Sequence, residues 1–210
     1  MTTMLSPFDL RLIPGGTVTI RDRGTTQKLS PTSPSMPFFS REHAQPRRKD
    51  RVGDVAPFLL GVVCVTNAVY FGRDDVADPH KPVVNVSWLD AIAFCARTGF
   101  RLPTEAEWQR ACVDDGAALD DVAWTAANSG DALHDVGLKR PNAFGLHDLL
   151  GNVWEWCDDL FDPAVYGDYR VFRGGGFSDD NAVVRADVRR KSHPTLRIDD
   201  VGFRLARSLP

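Results

Sequence analysis

Arg101-Leu102-Pro103-Thr104-Glu105-Ala106-Glu107-Trp108 is the stretch on which the reading of the whole chain turns. Thr104 followed three residues later by Glu107 is a capping-box pattern. The threonine hydroxyl accepts the N3 amide, and the glutamate reaches back to the N-cap amide. A helix is predicted to start there and run through Trp108, Ala111 and Cys112. Arg101, Glu105 and Glu107 stand among apolar residues, where charge is tolerated only when paired, so they are expected to form buried ion pairs that pin loops to helices.

Working upstream, Ser87 repeats the N-cap device ahead of Trp88, Ala91, Ile92 and Cys95 at helical spacing, with Asp90 in the first turn and Gly99 as the stop. A shorter helix is predicted after Thr66-Asn67, and Pro57–Val65 has strand character. Arg21–Asp54, rich in Ser, Pro, Thr, Arg and Lys, reads as a long surface loop inserted between strand-like segments. Leu10–Ile20 alternates apolar and polar residues around a Pro-Gly turn and is expected to open a sheet.

Downstream of Asp114 the periodicity fades. Gly, Asn, Asp and Pro punctuate a segment whose aromatic residues include Trp124, Phe144, Trp154, Trp156 and Phe177. Such a segment must satisfy its backbone groups through turns, side chains or bound ions. Trp88, Trp108, Trp154 and Trp156 are expected as core aromatics with hydrogen-bonded indole N–H groups. Gly174, Gly175 and Gly176 are expected to supply positive φ and close backbone approach, and no helix follows them to make a phosphate cradle.

The chain has 210 residues with 43% apolar content, enough for one domain spanning residues 1–210, and no apolar run is long enough to cross a bilayer. The net charge of −3 argues against a nucleic-acid partner. With no secretory signal pattern at the start, the expected location is cytoplasmic, with no membrane partner. Cys64, Cys95, Cys112 and Cys157 form no C-x-x-C pair and are expected as buried free thiols.

Several segments, in order, resemble the formylglycine-generating enzyme, or sulfatase-modifying factor, family. They are Val65-Thr66-Asn67, Pro82–Ala91, Arg101–Trp108, Asn142–Asp148, Gly151–Trp156, Arg173–Phe177 and Val201–Arg204. The resemblance implies an α+β fold of the C-type-lectin-like kind: loop-rich, with short antiparallel sheets and two main helices. In members that make formylglycine, a cysteine pair after the glycine motif binds copper(I). Here Phe177–Asp187 holds no cysteine and none follows Cys157, so no copper is expected. A second branch makes sulfoxides from histidine betaines with iron held by an extra N-terminal helical domain. His43, His80, His134, His147 and His193 show no metal-ligand spacing.

The resemblance also implies a calcium loop, with Asp148, the carbonyls of Gly151 and Val153, and Glu155 as ligands. A second family calcium site, near Asn128 and Ser129, looks truncated. Non-enzymatic relatives bind ligands between the glycine motif and Gly202-Phe203-Arg204. In the variable proteins of diversity-generating retroelements, that region is the randomised surface. The expectation is therefore a non-catalytic module binding an unknown protein or small molecule through residues 178–200. Its candidate contacts are Trp156, Phe177, Ser178, Asp179, Asp180, Asn181, Arg185, Arg189, Lys191, His193, Arg197 and Asp199. The alternative is a cysteine-independent oxidase or oxygenase of a small molecule or peptide, using Asp179, Asp180, Arg185, His193 and Trp156.

Overall fold

The computed structural model describes residues 5–21 and 50–210. Leu10–Ile20 is two strands, β1 (Leu10–Ile13) and β2 (Gly16–Ile20), in different sheets. Pro14 cannot donate to a ladder, and a Cβ on Gly15 would lie 2.6 Å from the Val55 carbonyl oxygen, so the chain breaks at this pair. β2 pairs antiparallel with β3 (Arg51–Val55), Gly16 opposite Val55 and Ile20 opposite Arg51. The loop expected over Arg21–Asp54 is therefore cut short by a strand, and its residues 22–49 lie outside the described residues. β1 pairs antiparallel with β4 (Phe58–Gly61).

Three helices follow as the caps predict. Thr66 precedes α1 (Asn67–Phe71) in an extended conformation but makes no side-chain cap bond. α2 (Trp88–Thr98) begins with a complete capping box. The Asp90 N–H donates to Ser87 Oγ at 3.2 Å, and the Ser87 N–H donates to the Asp90 carboxylate at 2.7 Å. It stops at Gly99 with φ 72°. α3 (Glu105–Ala111) repeats the arrangement between Thr104 and Glu107, and a single turn, α4 (Leu119–Val122), comes after it.

The segment that looked irregular contains a further sheet. β5 (Trp154–Leu160) is followed by a turn of helix, α5 (Pro163–Tyr166), then β6 (Arg170–Arg173), β7 (Arg189–Ser192) and β8 (Val201–Gly202). The order is β7-β6-β5-β8, with β5 and β8 parallel and the other pairs antiparallel. Trp154 to Cys157 is buried on both faces, which erases the alternation that announces a half-exposed strand. β9 (Ala206–Ser208) returns to pair antiparallel with β4. The short sheets and two principal helices give the expected α+β class, with one parallel pair among the ladders.

Two apolar clusters sit between these layers. One gathers Trp154, Trp156, Phe94 and Phe203, and the other gathers Trp108, Phe58, Leu60 and Cys157. All four indoles donate as expected, Trp88 from a half-buried position at the edge of the core: Trp88 to the Cys157 carbonyl, Trp108 to Glu155, Trp154 to Asp179, and Trp156 to the Val86 carbonyl, at 2.7–3.1 Å. The four cysteines are buried and free.

Candidate functional site

Beneath the C-terminal region lies an ionic base. Glu105, fully buried at the start of α3, accepts from Arg173 at 2.6 Å, from Arg189 at 2.7 and 2.8 Å, and from Arg51 at 2.6 Å. Burial alone would raise its pKa, but the guanidinium groups of Arg173, Arg189 and Arg51 hold it below the ordinary value. Arg173 also donates to the Gln109 side chain and the Ala186 carbonyl, tying β6 to the loop before β7. Arg101 and Glu107 form a two-armed pair at 2.6 Å per arm. The expected ion pairs are thus present, buried where Glu105 meets Arg173 and Arg189 and part-buried between Arg101 and Glu107.

On this base, residues 174–188 and 193–200 form the irregular surface. Gly174 and Gly175 have φ of 107° and 87°, and a Cβ on Gly175 would lie 2.8 Å from a Val184 methyl, so the turn admits no side chain there. The candidate contacts divide by placement. Ser178, Asp180, Asn181, Arg185, His193, Arg197 and Asp199 are exposed, while Phe177 and Lys191 are half-buried. Lys191 Nζ lies 4.1 Å from the Tyr166 ring centroid.

Trp156, Asp179 and Arg189 are drawn inward, which corrects their expected place on the surface. Trp156 is sealed in the core, edge-on to Phe172. Arg189 is committed to Glu105. Asp179 accepts from the Trp154 indole at 2.7 Å, the Gly176 amide at 2.9 Å and Arg190 at 3.0 Å. Each satisfies a buried partner that would otherwise be stranded.

Several exposed members already hold local partners: Arg185 grips Asp187 at 2.7 and 2.9 Å, Arg197 reaches Asp90 at 2.8 Å, and His193 meets Thr195 at 2.7 Å. Beside the surface opens a cavity of about 610 Å³. Its wall includes Val184, Arg185, Asp187, Cys112, Leu149 and Asp148. Burial pushes the Cys112 thiol up to about 12, so it packs as a small apolar group.

The expected calcium loop has a mixed character. Asp148 is 2% exposed with φ 56°, and Gly151 and Asn152 are also left-handed, so the loop curls tightly. Asp148 Oδ2 accepts the Gly137 amide at 2.7 Å, whereas Oδ1 is buried without a hydrogen-bond partner. Desolvation raises its pKa. Glu155 is already engaged, accepting from Arg204 at 2.7 and 3.2 Å, from Trp108 at 2.9 Å and from the Cys64 thiol at 3.1 Å. Arg204 answers the charge of Glu155, and the orphaned oxygen of Asp148 on a tightly curled loop fits a hard cation better than a satisfied turn. At the expected second site, Asn128 and Ser129 are spent on internal bonds to the Thr125 amide and the Phe177 carbonyl. Among the described residues, no three His, Cys, Asp or Glu side chains converge as a metal-ligand group, and no helix is long and apolar enough to cross a membrane.

The Glu155–Arg204 pair carries no signal of its own in the sequence, and Asp200, which the sequence places with the displayed polar residues, is half-buried with its carboxyl raised to about 6. Both depend on residues brought together across long chain separations. The only sequence signal was their position inside or next to the quoted motifs.

Residues 72–209 match the family described as a sulfatase-modifying factor enzyme 1-like domain. The chain is 32% identical over 169 residues to a hercynine oxygenase of Mycolicibacterium smegmatis, covering 65% of this chain and 40% of that protein. It is 37% identical over 155 residues to an inactive C-alpha-formylglycine-generating enzyme 2 of Mus musculus, covering 60% and 49%. The chain thus spans less than half the length of these relatives. In structure it is similar to Treponema denticola variable protein 1, with TM-score 0.73 and 23% identity, over 95% of each chain.

Proposed function

We propose a binding role from a plain premise: this chain belongs to the sulfatase-modifying factor enzyme 1-like domain family. The observation that carries the proposal is the split within residues 173–200. Arg173, Asp179 and Arg189 are locked inward on buried partners, while Ser178, Asp180, Asn181, Arg185, His193, Arg197 and Asp199 face outward. A rigid base that presents changeable polar side chains on loops is the arrangement a recognition surface needs. The partner is a protein or small molecule with complementary polar groups, and the display serves as the ligand-contacting surface of a variable protein would. The absence of cysteine after Cys157 removes the thiolate donors that suit copper(I) and leaves oxygen donors in their place.

Calcium is the ion we propose for the loop, held by Asp148 and the Gly151 and Val153 carbonyls; Glu155, expected as a further ligand, is taken up by Arg204, Trp108 and Cys64 instead. When bound it would neutralise the buried carboxylate and order the loop. This chain's own residues do the rest: Gly137 orients Asp148 through its amide, and Trp108 fixes Glu155.

The alternative, an oxidase or oxygenase free of cysteine chemistry, draws on the relatives named as enzymes and on Asp200, since a half-buried carboxyl with a raised pKa marks functional sites as well as structural ones. One experiment separates the two. The chain is screened against a displayed random-peptide library beside a variant carrying Ser178→Ala, Asp180→Ala, Asn181→Ala and Arg185→Ala. Binding is expected to fall at least about tenfold in the variant with its melting temperature kept. Substrate-dependent oxygen uptake with a cysteine-containing sulfatase peptide or a histidine betaine, copper(I) or iron being supplied, would overturn the binding reading.

A further inference from the structure

Below the exposed side chains, two segments come together from opposite ends of the surface, with Asp200 packed against Gly176. Asp179, 8% exposed, is fixed by Trp154, Gly176 and Arg190 as described. Asp200 arrives in the turn that leads into β8, where its main-chain carbonyl accepts the Trp154 amide at 2.8 Å. Its side chain lies against Gly176: a Cβ there would sit 3.3 Å from Asp200 Oδ2 and 3.3 Å from Trp154 Cδ1. No side chain separates the two segments at that point. Asp200 Oδ1 is buried and has no hydrogen-bond partner.

The charged groups facing Asp200 are Asp179, Asp199 and Arg190, two like charges against one cation. Arg190 is turned toward Asp179, with its guanidinium 4.5 Å from the Trp154 ring centroid. An ionised Asp200 therefore carries a buried, undonated oxygen and feels the negative charge of Asp179, two influences that disfavour the charged form. A proton removes the charge and with it the repulsion, and lowers the cost of burying that oxygen. Burial first, then Asp179, lifts Asp200 to about 6 against the pull of Arg190.

We propose that Asp200 is a proton-operated latch: protonated, it holds the Gly176–Asp180 turn against the residues before β8, and ionised, it is repelled by Asp179 and loosens both segments. These segments carry the exposed Ser178, Asp180 and Asp199, so the latch sets how rigidly that part of the surface is presented. It stands independently of what, if anything, the surface binds.

The test is hydrogen exchange of the Gly176 amide and the Trp154 indole N–H, corrected for intrinsic pH effects, at pH 5 and pH 7.5. Protection is expected to fall at least about tenfold on raising the pH, the factor that one unit of pKa represents. Asp200→Asn is expected to keep the protected state at both pH values. Equal protection of the wild-type chain at pH 5 and 7.5, or an Asp200→Asn chain that still shows the full change, overturns the proposal. Should that variant fail to fold, the carboxyl carbon resonance of Asp200 in the wild-type chain decides. A midpoint well above the ordinary carboxylate range, shared by the Trp154 indole resonance, supports the latch, and an ordinary midpoint overturns it.

Discussion

Glu155 and Arg204 are both fully buried, and each closes the other's hydrogen bonding: Arg204 also donates to the Gly61 carbonyl at 2.8 Å and the His147 carbonyl at 2.7 Å. Glu155→Gln would leave a guanidinium buried without its counter-charge. The expected loss is about 3–5 kcal/mol, read from denaturant unfolding. Replacing both residues by apolar ones should cost less than the sum of the single changes, because no charge is then stranded. Asp148 behaves differently. Its pKa is raised on folding, so the native chain holds this proton more tightly than the unfolded one, and the associated stability is lost as pH rises through the folded value. With a chelator present, melting temperature should therefore fall as the pH rises above the ordinary carboxylate range and through that raised value. Millimolar calcium should restore it at pH 8, and Asp148→Asn should abolish the calcium response. A response that survives Asp148→Asn would move the ion elsewhere.

Elements show where local chemistry suffices. Ser87 and Thr104 each write a helix start into four residues, and the structure has the reciprocal bonds at both. Ser87→Ala should cost about 1 kcal/mol in thermal or denaturant unfolding, since one N-terminal amide loses its acceptor. Gly175→Ala should cost more than Ser87→Ala, because a Cβ would press on Val184 and the left-handed φ of 87° would strain any side chain. Thr66 is the instructive exception: the residue type suits a cap and the backbone is in place, yet its side chain makes no such bond. β5 was hidden for the opposite reason. Trp154, Glu155, Trp156 and Cys157 face buried surroundings on both sides, so the period-two signal that marks a strand is absent from the sequence.

At the scale of the whole molecule, the C-terminal residues close the fold. Val65 donates to the Phe203 carbonyl at 3.0 Å, Arg101 and Ala206 exchange two backbone bonds, and β9 pairs with β4. Deleting residues 203–210 removes Phe203 and Arg204 from the core together with this closure. Loss of the cooperative unfolding transition is expected, measured by circular dichroism on heating.

The sequence alone determined the helix starts, the need of Arg101, Glu105 and Glu107 for charged partners, the buried free thiols, the hydrogen-bonded indoles and the lack of cysteine ligands near the glycine motif. Those features follow from residue types within a few positions of one another or from simple presence and absence. Which candidate contacts face outward was decided only by the tertiary structure, as were the three arginines on Glu105 and the packing of Asp200 against Gly176. Burial and charge compensation join residues up to more than a hundred positions apart, and no local pattern encodes that pairing.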